Sequence, residues 1–524
     1  MPSELSVMAA GGARREQGPG WIALIPALVT LGVTLYRIQR PSYNRDEAAT
    51  LLAVHRSFPE LLRMLGNTDV VHGAYYALMW VITRLAGSSE FATRFPSAVG
   101  MAVAAGGVTL IGRRLISGRA GLAGGLVFAV LPSVTWYAGI AREYAIVTAL
   151  ATVASYLFLR VLDAGGTRWR WPVAYGAALA AMGLGNFFSL LIIPAHAVTL
   201  TAWARNNRGV ARRVVVGWLS AAAVAVAVVS PVIVAGYAQR YQIQWIKWQG
   251  MRGVVGLTEL VGTPPEFFML AAVTVGGLLT SAARGRSVLR ADWPGRLLAL
   301  ALPWLLVPGA LLFAVSLVHP VYTFRYIVFC IPALALLAGA ALTALSRAVG
   351  PPALGWVVAA AALALIAGAG MPTQIGERGP AGRDYSIRGA DQIVARSAHP
   401  GDALLNLSYW PMSQGGGVER LLEAPYSFGL ARLHDVSRGA APVPSASPGG
   451  TFAPEAVIRQ RLATVTRLWV ASWNYRQPPG VASWSRTPEK YLHSLGFTRS
   501  RTWHLHRVWL WLYIRHPGAT SGLG

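Results

Sequence analysis

Residues 72–87 read "HGAYYALMWVITRLAG", an apolar stretch whose placement decides the whole topology. It can be a membrane span or a short helix lying on the surface. It sits in a chain of 524 residues that is 54% hydrophobic and only 13% charged, with a mean hydropathy of +0.45. Soluble proteins of this size carry about twice that charged fraction. Apolar runs recur from Trp21 to Met371, which points to a polytopic α-helical membrane protein. The segments expected to be helical are 21–38, 91–112, 119–137, 143–162, 172–185, 186–203, 213–236, 266–283, 297–317, 323–346 and 353–371.

Arginine supplies almost all of the net charge of +25. Basic chains can bind nucleic acid, but here the arginines punctuate apolar runs, as topology determinants do on the cytoplasmic side. No nucleic-acid partner is expected. With 72–87 kept out of the membrane and the N-terminus inside, fourteen arginines fall in cytoplasmic loops, against Asp163 and Asp292. With 72–87 crossing, all of those loops flip outward. The first arrangement obeys the positive-inside rule. It gives about eleven spans in a multi-pass plasma-membrane protein, with a cytoplasmic N-terminal tail (1–20) and an extracytoplasmic C-terminus.

The expected organisation is a membrane domain over 21–371 with an outer loop at 39–90, then a less apolar region over 372–524. That last region alternates helix-like and strand-like runs, including "DQIVARSA", "DALLNLSY" and "VWLWLYIRH", and reads as a small α/β domain on the outer surface. The Pro/Gly/Ser-rich stretch 437–454 reads as a loose loop. The single cysteine, Cys330, excludes a disulfide framework and a cysteine-based metal site.

This topology puts several ionisable residues on one outer face. "SYNRDEAATLL" (42–52) carries the adjacent acids Asp46 and Glu47. His72, Arg94, Arg142 beside Glu143, Lys247 and Arg325 fall on the same side. A carboxylate can take a proton from a hydroxyl, and arginine or lysine can hold a phosphate and the charge that develops on a leaving phosphate oxygen. A base with phosphate clamps at a lipid–water interface suits group transfer from a lipid phosphate. Plainer roles stand beside these. The acidic pair suits a helix cap, His72 an interfacial histidine, Arg142 and Arg325 headgroup anchors, and Trp245 and Trp248 an aromatic belt.

Four segments carry a resemblance: "RDEA" in the first loop, "VHGAYYALMWVITRLAGSSEFATRFPSAVG", "AREYAIVTALA" and "FRYIVFCIPALALLAG". In order and spacing they resemble the GT-C superfamily of integral membrane glycosyltransferases, especially protein O-mannosyltransferases and bacterial aminoarabinose transferases. The family's His-Pro-Pro reads His72-Gly73-Ala74 here. The resemblance implies a polyprenyl-phosphate sugar donor, most simply mannosyl, and an acceptor hydroxyl on a protein, lipid or polysaccharide. It implies Asp46 as catalytic base with Glu47 beside it. Donor binding would fall to His72, Arg94, Arg142, Tyr144, Lys247, Arg325 and Tyr326. No cofactor or metal is implied. The rival class is a lipid flippase or transporter.

Overall fold

The computed structural model describes residues 19–244, 246, 256–283, 293–349, 351–382, 385–407, 420, 422–472 and 488–515. They form two compact units: Met1–Tyr36 with Arg94–Gly376, and Arg37–Thr93 with Glu377–Gly524.

The first unit is helical. Each of the eleven expected segments is largely helical, with 119–137 broken at Leu131 and 21–38 ending its helix at Leu35. Among the described residues, seven helices are long and apolar enough to cross a bilayer: Glu90–Leu115, Tyr144–Asp163, Phe187–Asn206, Arg208–Ala238, Arg296–Ser316, Phe324–Ala348 and Pro352–Glu377. An eighth span arises if Gly118–Val130 and Pro132–Ala138 count as one, bent by 65°. Proline lacks the N–H that would continue the helix and pushes Leu131 into extended backbone, so the break falls there. Gly20–Leu35 and Pro264–Thr280 are apolar but shorter, and Arg170–Gly185 has 16 residues. An eleven-span arrangement would therefore have to use these shorter helices as well.

The apolar window of Phe324–Ala348 is 89% buried, against 17% for Pro352–Glu377, so the former is an interior helix. Small residues let its neighbours close in. A Cβ on Gly339 would lie 2.4 Å from the backbone nitrogen of Gly124, and one on Gly277 would lie 2.5 Å from the Ala341 carbonyl oxygen. The outward side chains of Arg208–Ala238, among them Val216, Leu219, Val224 and Val234, are exposed and apolar, as a lipid-facing surface requires.

The second unit is built on a five-stranded sheet of β1 (Ala403–Asn406), β2 (His434–Asp435), β3 (Arg467–Ser472), β4 (Phe497–Leu505) and β5 (Val508–Arg515), in the order β2-β1-β3-β5-β4. β1 runs parallel to β2 and β3, while β5 is antiparallel to β3 and β4. Side chains alternate across the sheet. Leu404, Trp469 and Leu510 enter one core, and Leu405, Val470 and Trp511 enter the other. The first core is completed by Ile387, Ala390 and Val394 of the helix Ile387–Ser397, and also by Tyr43, Ala48 and Leu51. The helix Arg45–Val54, which carries the acidic pair, is thus part of this sheet's core.

The stretch 72–87 forms a 14-residue helix, Gly73–Ala86, in this second unit. At 1.5 Å per residue it is about 21 Å long, too short to span a hydrocarbon core of about 30 Å unaided. The Pro/Gly/Ser-rich stretch is more ordered than expected. An antiparallel bridge joins Arg438 to Phe452, and the Gly439 N–H donates to the Thr451 carbonyl at 2.8 Å.

Asp391 is fully buried, and its Oδ1 accepts the Leu430 N–H at 2.7 Å. Gly429 is required beside it, because a Cβ there would lie 2.4 Å from the Asp391 Cα. Burial pushes the Asp391 carboxyl up to about 8, and the Glu423 charge adds to the effect. The folded state therefore holds a proton that the unfolded state releases near 3.8. The stabilisation is complete below that value and is lost as pH rises towards about 8. Asp391→Asn keeps the Oδ1 acceptor and removes the ionisation. The unfolding midpoint of the detergent-solubilised chain should fall less between pH 5 and pH 8 in this variant than in the parent. Equal slopes would show that this carboxyl does not govern the pH response.

Candidate active site

Asn44 is the N-cap of the helix Arg45–Val54. Its side-chain oxygen accepts the Glu47 N–H at 2.9 Å, and Glu47 Oε2 accepts the Asn44 N–H at 3.0 Å. This reciprocal capping box commits the fully buried Glu47 to holding the helix start. Adjacent side chains on a helix point about 100° apart, and Asp46 stays partly exposed. The two acids thus occupy different environments, Glu47 buried in the cap and Asp46 partly exposed.

Tyr385, which the sequence did not single out, lies within electrostatic reach of Asp46, and Arg507 lies beside Tyr385. Arg507 is the second residue of the two-residue turn between β4 and β5, in left-handed conformation at φ 54°. Its guanidinium lies 5.9 Å from the Tyr385 ring centre. The Tyr385 hydroxyl is pushed up mainly by burial, with Arg45 and Arg507 opposing the shift and Asp46 adding to it. Asp46 therefore stands within electrostatic reach of the C-terminal part of the chain.

His72 ends the 3₁₀ turn Val70–His72 and is half-buried. Its ring centre is 5.8 Å from that of Tyr76, whose hydroxyl donates to Asp69 Oδ2 at 3.2 Å. Gly73, where the family pattern has proline, packs closely: a Cβ there would lie 3.2 Å from Leu65 Cδ1.

Asp46, Glu47 and His72 belong to the second unit, and Arg94, Arg142, Tyr144, Arg325 and Tyr326 to the first. Within the first unit Arg94 is fully buried on the helix Glu90–Leu115. One turn further on, Ser97 Oγ donates to the carbonyls of Ile140 at 2.8 Å and Arg142 at 3.3 Å. That bond joins the Arg94 helix to the short break between Pro132–Ala138 and Tyr144–Asp163. In the break, Arg142 Nε lies 3.4 Å from Glu143 Oε2, and both side chains are buried. Tyr144 begins the next helix and meets Tyr137 edge-on, with ring centres 5.4 Å apart.

Arg325 and Tyr326 lie on the 3₁₀ helix Phe324–Cys330. Tyr326 stacks on Phe188 at 4.8 Å, and the Arg325 guanidinium is 5.9 Å from the Tyr326 ring. This 3₁₀ helix packs against Tyr144–Asp163 and Phe187–Leu191, so the two motif segments share one bundle. Lys247, Trp245 and Trp248 lie outside the described residues. Among the described residues, no group of three or more His, Cys, Asp or Glu side chains is placed to hold a metal ion.

The architecture defines a multi-pass membrane protein with an attached α/β unit. Residues 73–234 match the family model of dolichyl-phosphate-mannose-protein mannosyltransferases. Among solved structures the chain is similar to ArnT from Cupriavidus metallidurans in the apo state, with a TM-score of 0.53 and 15% identity over 94% of this chain and 98% of that one. The same protein bound to undecaprenyl phosphate gives a TM-score of 0.54 and 16% identity over the same shares. Arabinofuranosyltransferase AftD from Mycobacteria gives a TM-score of 0.50 and 17% identity over 94% of this chain, but only 40% of its own length. No curated protein matches in sequence. The chain has the fold of the GT-C superfamily of integral membrane glycosyltransferases.

Proposed function

We propose that the chain transfers a sugar, mannose first among the candidates, from a polyprenyl-phosphate donor to an acceptor hydroxyl on the outer membrane face. The observation that carries this reading is the fold match over 94% of the chain to a protein whose structure holds undecaprenyl phosphate. The split environments of Asp46 and Glu47 support it.

In this reading the donor's phosphate docks against Arg142 and Arg325, with Arg94, Tyr144, Tyr326, His72 and Lys247 completing the donor site. Asp46 takes the proton of the acceptor hydroxyl. The acceptor oxygen bonds to the anomeric carbon from the face opposite the phosphate, and the bond from that carbon to the phosphate oxygen breaks. Its electron pair leaves with polyprenyl phosphate, so the configuration inverts. Phosphate is a good leaving group, so no separate acid is required, and the reading assigns no metal.

A flippase would also be polytopic. Transporters commonly show repeated halves and charges near the midplane, whereas this sequence shows no repeat. Cells lacking the chain should lose one sugar from an envelope polymer, glycolipid or glycoprotein. Unchanged glycans with an altered lipid distribution across the bilayer would favour the flippase.

The proposed orientation has its own test. In a Cys330→Ser background, a cysteine placed at Gly165 should be shielded from an impermeant thiol reagent in intact cells. One at Gly401 should be labelled. The reverse pattern would put the acidic pair on the cytoplasmic face.

A further inference from the structure

We propose that Arg388 and Tyr426, from the C-terminal part of the chain, are positioning residues for Asp46; this rests on Asp46 being the base. Both reach the five residues 39–43 that lead into the capped helix. The Tyr426 hydroxyl accepts the Tyr43 N–H at 3.2 Å and donates to Glu90 Oε1 at 2.7 Å. The Arg388 guanidinium pairs with the same Glu90 oxygen. It also donates to the carbonyls of Arg40 at 2.9 Å and Gln39 at 3.0 Å. The Arg388 N–H donates to Ser42 Oγ at 3.0 Å, and the Ser42 N–H donates to the Pro380 carbonyl at 2.9 Å. The Tyr43 hydroxyl closes the network, donating to the Ser88 carbonyl at 2.8 Å, with Thr93 Oγ1 2.9 Å away.

Docking alone does not need this set of bonds. The apolar contacts of Tyr43, Ala48 and Leu51 with the sheet already hold the helix to its unit. Apolar contacts are non-directional, whereas hydrogen bonds weaken steeply as their angles open. Bonds that converge on four of the five residues 39–43 fix the path of the chain three residues before Asp46. Neither Arg388 nor Tyr426 needs to touch a reacting atom. Each acts by limiting where the Asp46 carboxylate can sit, and a misplacement of about 1 Å can cost on the order of 10²-fold in rate.

The test measures transfer of label from polyprenyl-phosphate [14C]mannose to acceptors in membranes carrying each full-length variant. Binding of undecaprenyl phosphate is measured alongside. Tyr426→Phe and Arg388→Ala should lower kcat by roughly ten- to a hundred-fold with that binding unchanged, and Arg388→Lys should recover part. The same changes in an Asp46→Asn background should cost nothing further, because the group they position is already gone. Equal fold losses in both backgrounds, or normal kcat in the single variants, would overturn the proposal. Glu90→Gln supplies the same comparison where Tyr426→Phe fails to fold. Full turnover by Asp46→Asn alone is a separate outcome, which removes the base assignment itself.

Discussion

An Asp46→Asn chain should lose about 10²–10⁴-fold in transfer rate while still binding undecaprenyl phosphate. Asparagine keeps the size and shape of the side chain and cannot accept the acceptor's proton. The capping box makes the comparison with its neighbour informative. Glu47 Oε2 is engaged by the Asn44 N–H, and an amide oxygen can accept the same bond. Glu47→Gln should therefore preserve the helix start and cost far less in rate. Asn44→Ala should cost about 0.5–2 kcal/mol of helix stability, as loss of an N-cap does, and act on rate only through Asp46. Normal turnover by Asp46→Asn would demote the acidic pair to a cap and nothing more.

The second large effect is expected at the phosphate clamps. Arg325→Ala should weaken use of the lipid donor by about ten- to a hundred-fold, the loss of one charge-assisted bond worth about 1.5–3 kcal/mol. Arg142→Ala should do the same with an added stability cost, because its ion pair with Glu143 is buried. Arg→Lys should restore only part at either position, since the planar fork is lost. Normal donor use by both alanine variants would make these arginines headgroup anchors.

The helical membrane unit was legible because bilayer thickness imposes long apolar runs, and arginine placement kept 72–87 out of the count. The helix Gly73–Ala86 is correspondingly short. The division into spans was less legible. Apolarity marks 119–137 as one run, while Pro132 bends it, and it cannot tell a 16-residue helix from a full crossing.

In the C-terminal part, the apolar strands β1 and β5 stood out by composition. β4 did not, because most of its side chains are polar and exposed and it is the edge strand of the sheet. The Pro/Gly/Ser-rich stretch looked loose because composition does not show the bridge between Arg438 and Phe452.

At the candidate site, the acidic pair was visible as two acids in an acid-poor chain, and a cap was one of its two readings. Its structural partners were not visible. Ala48 and Leu51 mark one face of a helix, but nothing nearby in sequence says that the face meets a sheet formed more than 350 residues later. Tyr385, Arg388, Tyr426 and Arg507 lie in no motif and become informative only through contacts of that range.

Group transfer from a lipid phosphate is open to one direct measurement. The full chain is reconstituted in vesicles made from membranes that lack it, and these are supplied with polyprenyl-phosphate [14C]mannose. Label in the acceptor fraction, free polyprenyl phosphate and the anomeric configuration of the product are followed together. A transferase should give label in acceptor and polyprenyl phosphate released in equal amounts, with inverted configuration and dependence on Asp46. Label that stays on polyprenyl phosphate and merely appears in the opposite leaflet would contradict it.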